Sequence, residues 1–174
     1  MTLIIAQESK DDIPHIDALV EDAFGAARKT RTVYRFRDGI DPLSELGFVA
    51  KMDDQVVGSI RFWPVTLPDG TMVPMLGPLA VRPELRGKGA GRALVRRGME
   101  AAEALGMAAV IIVGDPGYYA AFGFSVEPVH NLALPGSVTP LVFMGQEFIP
   151  GTLAEQGGVV TPFEAQACPK VDAL

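Results

Sequence analysis

Hydrophobic and polar residues recur along the chain with two spacings, one typical of helices and the other typical of strands. An apolar, β-branched run at 2–6 predicts a first strand. Apolar side chains then recur every three or four residues from Ile13 to Phe24, which predicts an amphipathic helix. Ser9 is followed three places later by the carboxylate of Asp12, and this capping-box pattern predicts that the helix starts here.

Two strand-like runs come next, at 48–52 and 55–65, and the polar pair Asp53-Asp54 between them predicts a hairpin. A third run follows at 72–81, but Gly77-Pro78 interrupts it. Because proline cannot donate a hydrogen bond to a ladder, this dipeptide predicts an edge, a bulge or a strand that leaves its neighbour.

The clearest helix of the sequence follows Pro83 and a glycine-rich stretch. From 92 to 105, apolar residues occupy one side of the helix and Arg and Glu residues the other, and Gly106 predicts its end. The run at 108–113 is apolar throughout and predicts a buried strand. Residues 72–113 therefore predict a right-handed crossover between two parallel strands.

The other segments have weaker patterns. The stretch from 25 to 47 predicts a short helix and a loop. Asp115-Pro116 predicts the start of another short helix that ends at Gly123. The tail from 125 to 174 is rich in Pro and Gly, with strand-like runs at 141–148 and 159–163.

Size and charge limit the classes of protein. The chain has 174 residues, which predicts one domain over 1–174, with a core at 1–124 and a C-terminal tail at 125–174. Its net charge of −6 argues against nucleic-acid and anionic-membrane partners, so an anion site must be local. A single cysteine, Cys168, excludes a disulfide scaffold within the chain. Without a signal-like amino terminus or a membrane-length apolar run, the sequence predicts a cytoplasmic, soluble protein.

Three alternating glycines lie between Arg86 and Arg92, just before the amphipathic helix. This spacing predicts exposed backbone amides at the helix start, which suit an anion such as a diphosphate, and Lys88 adds further positive charge. The alternative is a flexible loop with a solvated basic face. A dinucleotide fingerprint is excluded because Arg92 stands where its third glycine belongs. A nucleotide P-loop is excluded because Gly89, without a hydroxyl, follows Lys88.

Two motifs resemble a known family. Arg86-x-x-Gly89-x-Gly91, between a strand and a helix, resembles the coenzyme A signature of the GNAT superfamily of N-acetyltransferases. Residues 114–124, which end in Tyr119-x-x-x-Gly-Phe, resemble the helix after the family's fifth strand. The resemblance covers about 1–124 and is greatest to a bacterial subgroup of predicted acetyltransferases. It implies an α/β (α+β) fold: a mixed, mostly antiparallel sheet flanked by helices, with splayed parallel strands around the glycine loop.

The same resemblance implies an activity and its residues. An acetyl group would pass from acetyl-CoA to a primary amine by direct attack, with no metal. Tyr119 takes the family position of the general acid that protonates the departing thiolate, although packing remains the alternative for Tyr118 and Tyr119. The pantetheine arm would pair with the backbone of three strand residues, and the loop would hold the pyrophosphate; the implied cofactor-binding residues are Leu79, Ala80, Val81, Arg86, Gly87, Lys88, Gly89, Ala90, Gly91 and Arg92.

The general base has no clear candidate. Glu21, Asp22 and Glu45 lie in segments that wall the acceptor side in relatives, but each is more often a solvated charge. His15 and His130 each stand without companions at metal-ligand spacing, so we interpret them as surface or capping residues. The missing base motivates an alternative function, a non-catalytic acyl-CoA-binding module, and an interaction domain without a cofactor is a third.

The residues of the acceptor side allow several interpretations. Basic residues crowd 28–37 and would contact an acidic acceptor, contact the ribose phosphate of the cofactor, or form a solvated face, and the sequence favours the last. Trp63 either packs or lines an apolar acceptor pocket. The sequence leaves open whether the acceptor is a small molecule or a protein, and whether the chain forms a homodimer.

Overall fold

The computed structural model describes residues 2–25, 32–136 and 142–164, and a seven-stranded sheet forms the centre of this part of the chain. The strands are β1 (Leu3–Gln7), β2 (Phe48–Met52), β3 (Gln55–Thr66), β4 (Met72–Val81), β5 (Ala109–Val113), β6 (Leu132–Ala133), β7 (Phe143–Glu147), β8 (Gly158–Val159) and β9 (Thr161–Pro162). The helices are α1 (Ile13–Phe24), α2 (Ala90–Ala104) and α3 (Pro116–Tyr119), with short 3-10 turns at Lys10–Asp12, Thr32–Phe36, Ser44–Leu46, Pro83–Leu85, Ala120–Phe122 and Glu127–Val129.

The strand order is β1-β2-β3-β4-β5-β7, with β9 paired to β3, and β6 pairs with β8 apart from this sheet. Pairing in the main sheet is antiparallel except between β4 and β5, which α2 connects. This arrangement confirms the mixed, mostly antiparallel sheet that the family resemblance implies. No helix in the described ranges is long and apolar enough to cross a membrane.

The turn signals of the sequence are confirmed at two places. Met52 pairs with Gln55, and the two residues between them, Asp53 and Asp54, have φ values of 50° and 63°. Positive φ at both central residues is what a two-residue hairpin needs to match strand twist. Before α1, the Asp12 carboxylate accepts hydrogen bonds from the Ser9 amide at 2.9 Å and the Ser9 hydroxyl at 3.0 Å.

Of the alternatives that Gly77-Pro78 predicts, the structure has a bulge in β4. Leu76 pairs with Phe62 and Leu79 with Ile60, so Gly77 and Pro78 together oppose one residue of β3. The parallel pairing with β5 is confined to Met75 and Leu76, just before the bulge. Beyond it, the only described strand that pairs with β4 is β3, and a gap opens between β4 and β5.

The two long helices cover opposite faces of the sheet. Val49 belongs to the buried cluster beneath α1, whereas its neighbour Ala50 belongs to the cluster beneath α2. Gly98 brings α2 close to the sheet, since a Cβ there would lie 2.5 Å from a ring carbon of the buried Phe62. Both faces are thus covered, while the gap between β4 and β5, two inner strands of the sheet, stays open.

Candidate active site

Among the described residues, nothing accepts a hydrogen bond from the first backbone amides of α2. The first helical hydrogen bond runs from the Ala93 amide to the Gly89 carbonyl at 3.0 Å, and no side chain in the described part of the chain caps the helix. The amides of Ala90, Gly91 and Arg92 therefore have no helical partner. Gly89 has a φ of 96°, in the left-handed region that favours glycine, and nothing lies within 4 Å of the position of its missing Cβ. The start of this helix therefore has the geometry that suits an anion.

Two of the implied cofactor-binding residues, Arg86 and Lys88, have backbone amides that already donate within the loop, which corrects the expectation that the whole loop offers amides to the pyrophosphate. The Arg86 amide donates to the Pro83 carbonyl and the Lys88 amide donates to the Leu85 carbonyl, both at 3.3 Å. These two residues can reach an anion only through their exposed side chains.

A cavity of about 920 Å³, the loop cavity, lies in front of these amides. Eight of the ten predicted cofactor-binding residues line it; Lys88 and the buried Ala90 do not. The lining residues are Ala23, Phe24, Leu79, Ala80, Val81, Leu85, Arg86, Gly87, Gly89, Gly91, Arg92 and Tyr118.

The free edge of β4 forms one wall of the loop cavity. The Arg82 amide donates to Val57 of β3 at 2.9 Å. Since peptide groups alternate between the two edges of a strand, those of Ala80 also face β3, and those of Leu79 and Val81 face the gap. The structure therefore corrects the expectation that Ala80 offers its backbone to a ligand, and it leaves Leu79 and Val81 for that role.

A second cavity of about 290 Å³, the gap cavity, lies between the separated strands. It shares Leu79 with the loop cavity, and Tyr119 lines it together with Gly77, Pro78 and Gly114. A Cβ at Gly114 would lie 2.6 Å from the Tyr119 ring, so this glycine makes room for the tyrosine. Burial, followed by the neighbouring Tyr118 and Asp115, raises the pKa of Tyr119, so its phenol stays protonated at neutral pH.

Tyr118 lines the loop cavity rather than the gap cavity. The sequence predicted no role for this residue other than packing. A Cβ at Gly91 would lie 2.8 Å from the Tyr118 hydroxyl, which places that hydroxyl beside the open amides of α2. Burial raises the pKa of Tyr118, and the charge of Arg92 partly offsets this effect. Side chains of adjacent helical residues point about 100° apart. From this rule the sequence could have predicted that Tyr118 and Tyr119 face different surroundings.

A third cavity of about 980 Å³, the outer cavity, lies between α1 and the segment before β2. It shares Tyr34, Arg37 and Pro78 with the gap cavity. Its lining residues are Asp17, Ala18, Val20, Glu21, Tyr34, Arg35, Arg37, Asp38, Gly39, Arg61, Trp63 and Pro78.

Arg37 does not belong to a solvated basic face, which corrects the expectation for the 28–37 cluster at this residue. Its guanidinium carbon lies 4.7 Å from the centroid of the Tyr34 ring and 5.6 Å from that of Trp63. Burial lowers the pKa of Arg37 to about 10, with Tyr34 opposing this shift, so the group is charged at neutral pH. Arg35 is exposed as expected, and Arg28, Lys29 and Arg31 lie outside the described residues.

The candidate bases are dispersed. Glu21 lines the outer cavity, whereas Asp22 lines a separate recess of about 130 Å³ beside His15. Glu45 is exposed and lines none of these cavities. His130 caps a 3-10 turn through a 2.8 Å contact of Nδ1 with the Glu127 carbonyl, as expected of a capping residue. Within the described ranges, no group of three or more His, Cys, Asp or Glu residues is placed to hold a metal ion.

Comparison with known proteins gives one consistent family. The model of the Acetyltransferase (GNAT) family matches residues 13–124. A protein of Escherichia coli K12 named Uncharacterized N-acetyltransferase YhbS is 37% identical over 133 residues, which cover 75% of this chain and 78% of that protein.

Two solved structures share the fold over most of their length. The crystal structure of GNAT family N-acetyltransferase YhbS from Escherichia coli in complex with CoA has a TM-score of 0.77 and 33% identity, and the match covers 93% of this chain and 90% of that one. A GNAT family acetyltransferase from Brucella melitensis in complex with acetyl-CoA has a TM-score of 0.67 and 26% identity, with coverage of 94% and 97%.

Proposed function

Since this chain belongs to the GNAT family of acetyltransferases, we propose that it transfers an acetyl group from acetyl-CoA to a primary amine by direct attack. One observation carries the proposal: the loop cavity, with its open amides, meets the gap cavity, with Tyr119, at Leu79. The CoA and acetyl-CoA in the two related crystal structures support this co-substrate.

A diphosphate ester fits the start of α2. The amides of Ala90, Gly91 and Arg92 have no helical acceptor, and the helix dipole adds a partial positive charge there. The side chains of Arg86 and Arg92 line the same cavity and supply full charges. Charge-assisted hydrogen bonds of this kind each contribute ~1.5 to 3 kcal/mol.

The pantetheine arm fits the free edge of β4. Its two amide groups would pair with the peptide groups of Leu79 and Val81, as an added strand pairs with a sheet edge. Leu79 borders both cavities, so its N–H is the donor placed to polarise the thioester carbonyl. Binding and activation would then use neighbouring positions of one strand.

Acetyl-CoA supplies an activated acetyl group, which the amine nitrogen attacks so that a C–N bond forms as the C–S bond breaks. Tyr119 would donate its phenolic proton to the departing sulfur. Burial keeps this phenol protonated but also makes it a weaker acid than one with a pKa of ~10. The proton that the acylated nitrogen releases would restore the phenol and balance the reaction.

The amine must lose a proton before it attacks. Deprotonation of an alkylammonium with a pKa of ~10.4 costs about 4 to 5 kcal/mol at pH 7. Of the three carboxylates that the sequence offered, Glu21 lines the outer cavity, which joins the gap cavity at Arg37 and Pro78. We propose that Glu21 acts as the base, directly or through water.

The test combines binding with turnover. We expect CoA to be retained in equilibrium dialysis, and thiol release from acetyl-CoA to depend on an amine from a panel of amino acids, polyamines and peptides. Gly89→Glu should abolish retention because it places a carboxylate at the anion site. Binding without turnover for every amine would favour the non-catalytic module. Failure to retain CoA, or retention unchanged by Gly89→Glu, would overturn the assignment of the site.

A further inference from the structure

Two residues that line the outer cavity, Arg37 and Trp63, each have a buried N–H donor. The Nε atom of Arg37 and the Nε1 atom of Trp63 are buried without a hydrogen-bond partner in the part of the chain that the structure describes. Buried polar groups are paired in the large majority of cases, and an unpaired one costs about 1 to 3 kcal/mol. Two such donors beside one cavity point to a ligand that accepts hydrogen bonds.

Arg37 lies where the outer cavity joins the gap cavity. Its Nη2 atom is 3.0 Å from the position that a Cβ would take at Gly77, within the bulge that separates β4 from β5. The flat faces of Tyr34 and Trp63 contact the guanidinium. These contacts fix a rigid cation a short distance from the β4 edge that the thioester would occupy.

The other charged side chains of the outer cavity leave Arg37 without a counter-ion among the described residues. Arg61 makes a bidentate ion pair with Glu8, at 3.0 Å and 2.7 Å, whereas no carboxylate of the described residues pairs with Arg37. Arg35 is exposed. The carboxylates of Asp17, Glu21 and Asp38 also line the cavity, and all three residues are exposed. Cationic and anionic groups thus line the same cavity, an arrangement that suits a ligand with charges of both signs.

From this arrangement we propose that Arg37 and Trp63 bind a carboxylate of the acceptor, so that the acetyl acceptor is an amino-carboxylate, such as an amino acid. A guanidinium matches a carboxylate through two parallel hydrogen bonds, and the indole N–H adds a third. In this acceptor the carboxylate lies close to the amino group, because Arg37 borders the gap cavity in which that amino group would attack the thioester. This inference rests on the proposed acetyl transfer.

Trp63 makes a direct test possible because the chain has a single tryptophan. The probes are the N-acetyl derivatives of glycine, leucine, lysine and glutamate, each compared with its carboxamide, in the presence of saturating CoA. We expect at least one acid to change Trp63 fluorescence saturably, with an affinity about 10- to 100-fold above that of its amide, as the loss of a charge-assisted pair predicts. Kinetic specificity for the free amino acid over its amide should show the same ratio.

Variants separate recognition from folding. Arg37→Gln should remove the preference for the acid while CoA binding and the melting temperature stay close to wild type, and Arg37→Lys should restore part of it. Arg96→Gln, the same change at an exposed position of α2, should keep the full preference. Equal affinity for acids and amides would overturn the proposal, and so would a preference that survives Arg37→Gln. If the fluorescence preference holds while no amine is acetylated, the carboxylate site stands and the transferase activity fails.

Discussion

The rings of Tyr118 and Tyr119 meet edge to face, with centroids 4.9 Å apart and an interplanar angle of 85°, yet the two side chains line different cavities. Tyr118 lies beside the amides that would hold a diphosphate, and Tyr119 lies between the separated strands. One short helix thus places one phenol at each end of the route that the co-substrate would follow.

Removal of the Tyr119 hydroxyl should slow the chemical step. We expect Tyr119→Phe to lower kcat by about 100-fold or more, the usual scale for a lost general acid, with little change in the KM for acetyl-CoA. Tyr118→Phe is the matched control and should raise that KM while kcat changes little. Steady-state kinetics on both variants decide the assignment, and the reverse pattern would exchange the two roles.

Two glycines of α2 should respond differently to the same substitution. A Cβ at Gly91 would come within 3.0 Å of the Tyr118 hydroxyl alone, at the far end of that side chain, so Gly91→Ala should weaken CoA binding while the protein stays as stable as wild type. Gly98→Ala should instead lower the free energy of unfolding by ~1 to 2 kcal/mol, because Phe62 is fully buried and cannot give way. Dialysis and urea unfolding measure the two effects, and equal losses of stability would contradict this division.

Arg92 should act on the diphosphate part of the co-substrate. We expect Arg92→Gln to weaken CoA binding by about 10- to 100-fold, and to leave the KM for acetyl-pantetheine, which has no diphosphate, within about 3-fold of wild type. Arg96→Gln, one helical turn further along α2, should change neither value. An equal loss for both thioesters would instead indicate that Arg92 shapes the cavity rather than pairs with phosphate.

Asp12 should make stability depend on pH. Its burial alone raises the pKa, but the hydrogen bond and ion pair with Lys51, at 2.9 Å, and the Ser9 donors outweigh burial and lower it below 3.8. Since the folded-state pKa is the lower one, this stability is present above about pH 4 and is lost as the pH falls through the folded value. Asp12→Asn should cost ~1 to 2 kcal/mol at pH 7.

The cost of Asp12→Asn should shrink below pH 4, as urea unfolding at several pH values would show. Asp11→Asn alters an exposed neighbour in the same turn and should have little effect at any pH. A difference between Asp12→Asn and wild type that stays constant from pH 7 to pH 3 would contradict this account.

The elements and the anion loop were predictable because each depends on residues close together in sequence. The hairpin at Asp53-Asp54, the capping box at Ser9 and the glycines before α2 are local signals, and the structure has the corresponding elements. The two residues of β6 were not predicted, since so short a pairing leaves no periodicity to detect.

The placement of Arg37 could not be predicted in this way. Its surroundings come from Tyr34, three positions away, and from Trp63 and Gly77, which β3 and β4 bring from far along the chain. The orientation of the Leu79, Ala80 and Val81 peptide groups depends on strand register, which the sequence does not encode position by position. Long-range geometry, rather than residue type, decides both features.

The surplus residue of β4 at Gly77-Pro78 has an effect on the whole sheet. With a regular register, β4 would pair with β5 along its whole length, and there would be no gap between them for a ligand. With the extra residue, β4 separates from β5 beyond the bulge and keeps peptide groups that no described strand pairs with. A narrow molecule with amide groups of its own can pair with them. Under the proposed function, the pantetheine arm of acetyl-CoA takes the place of a neighbouring strand. The hydrogen-bonding pattern that stabilises the sheet then also binds the co-substrate.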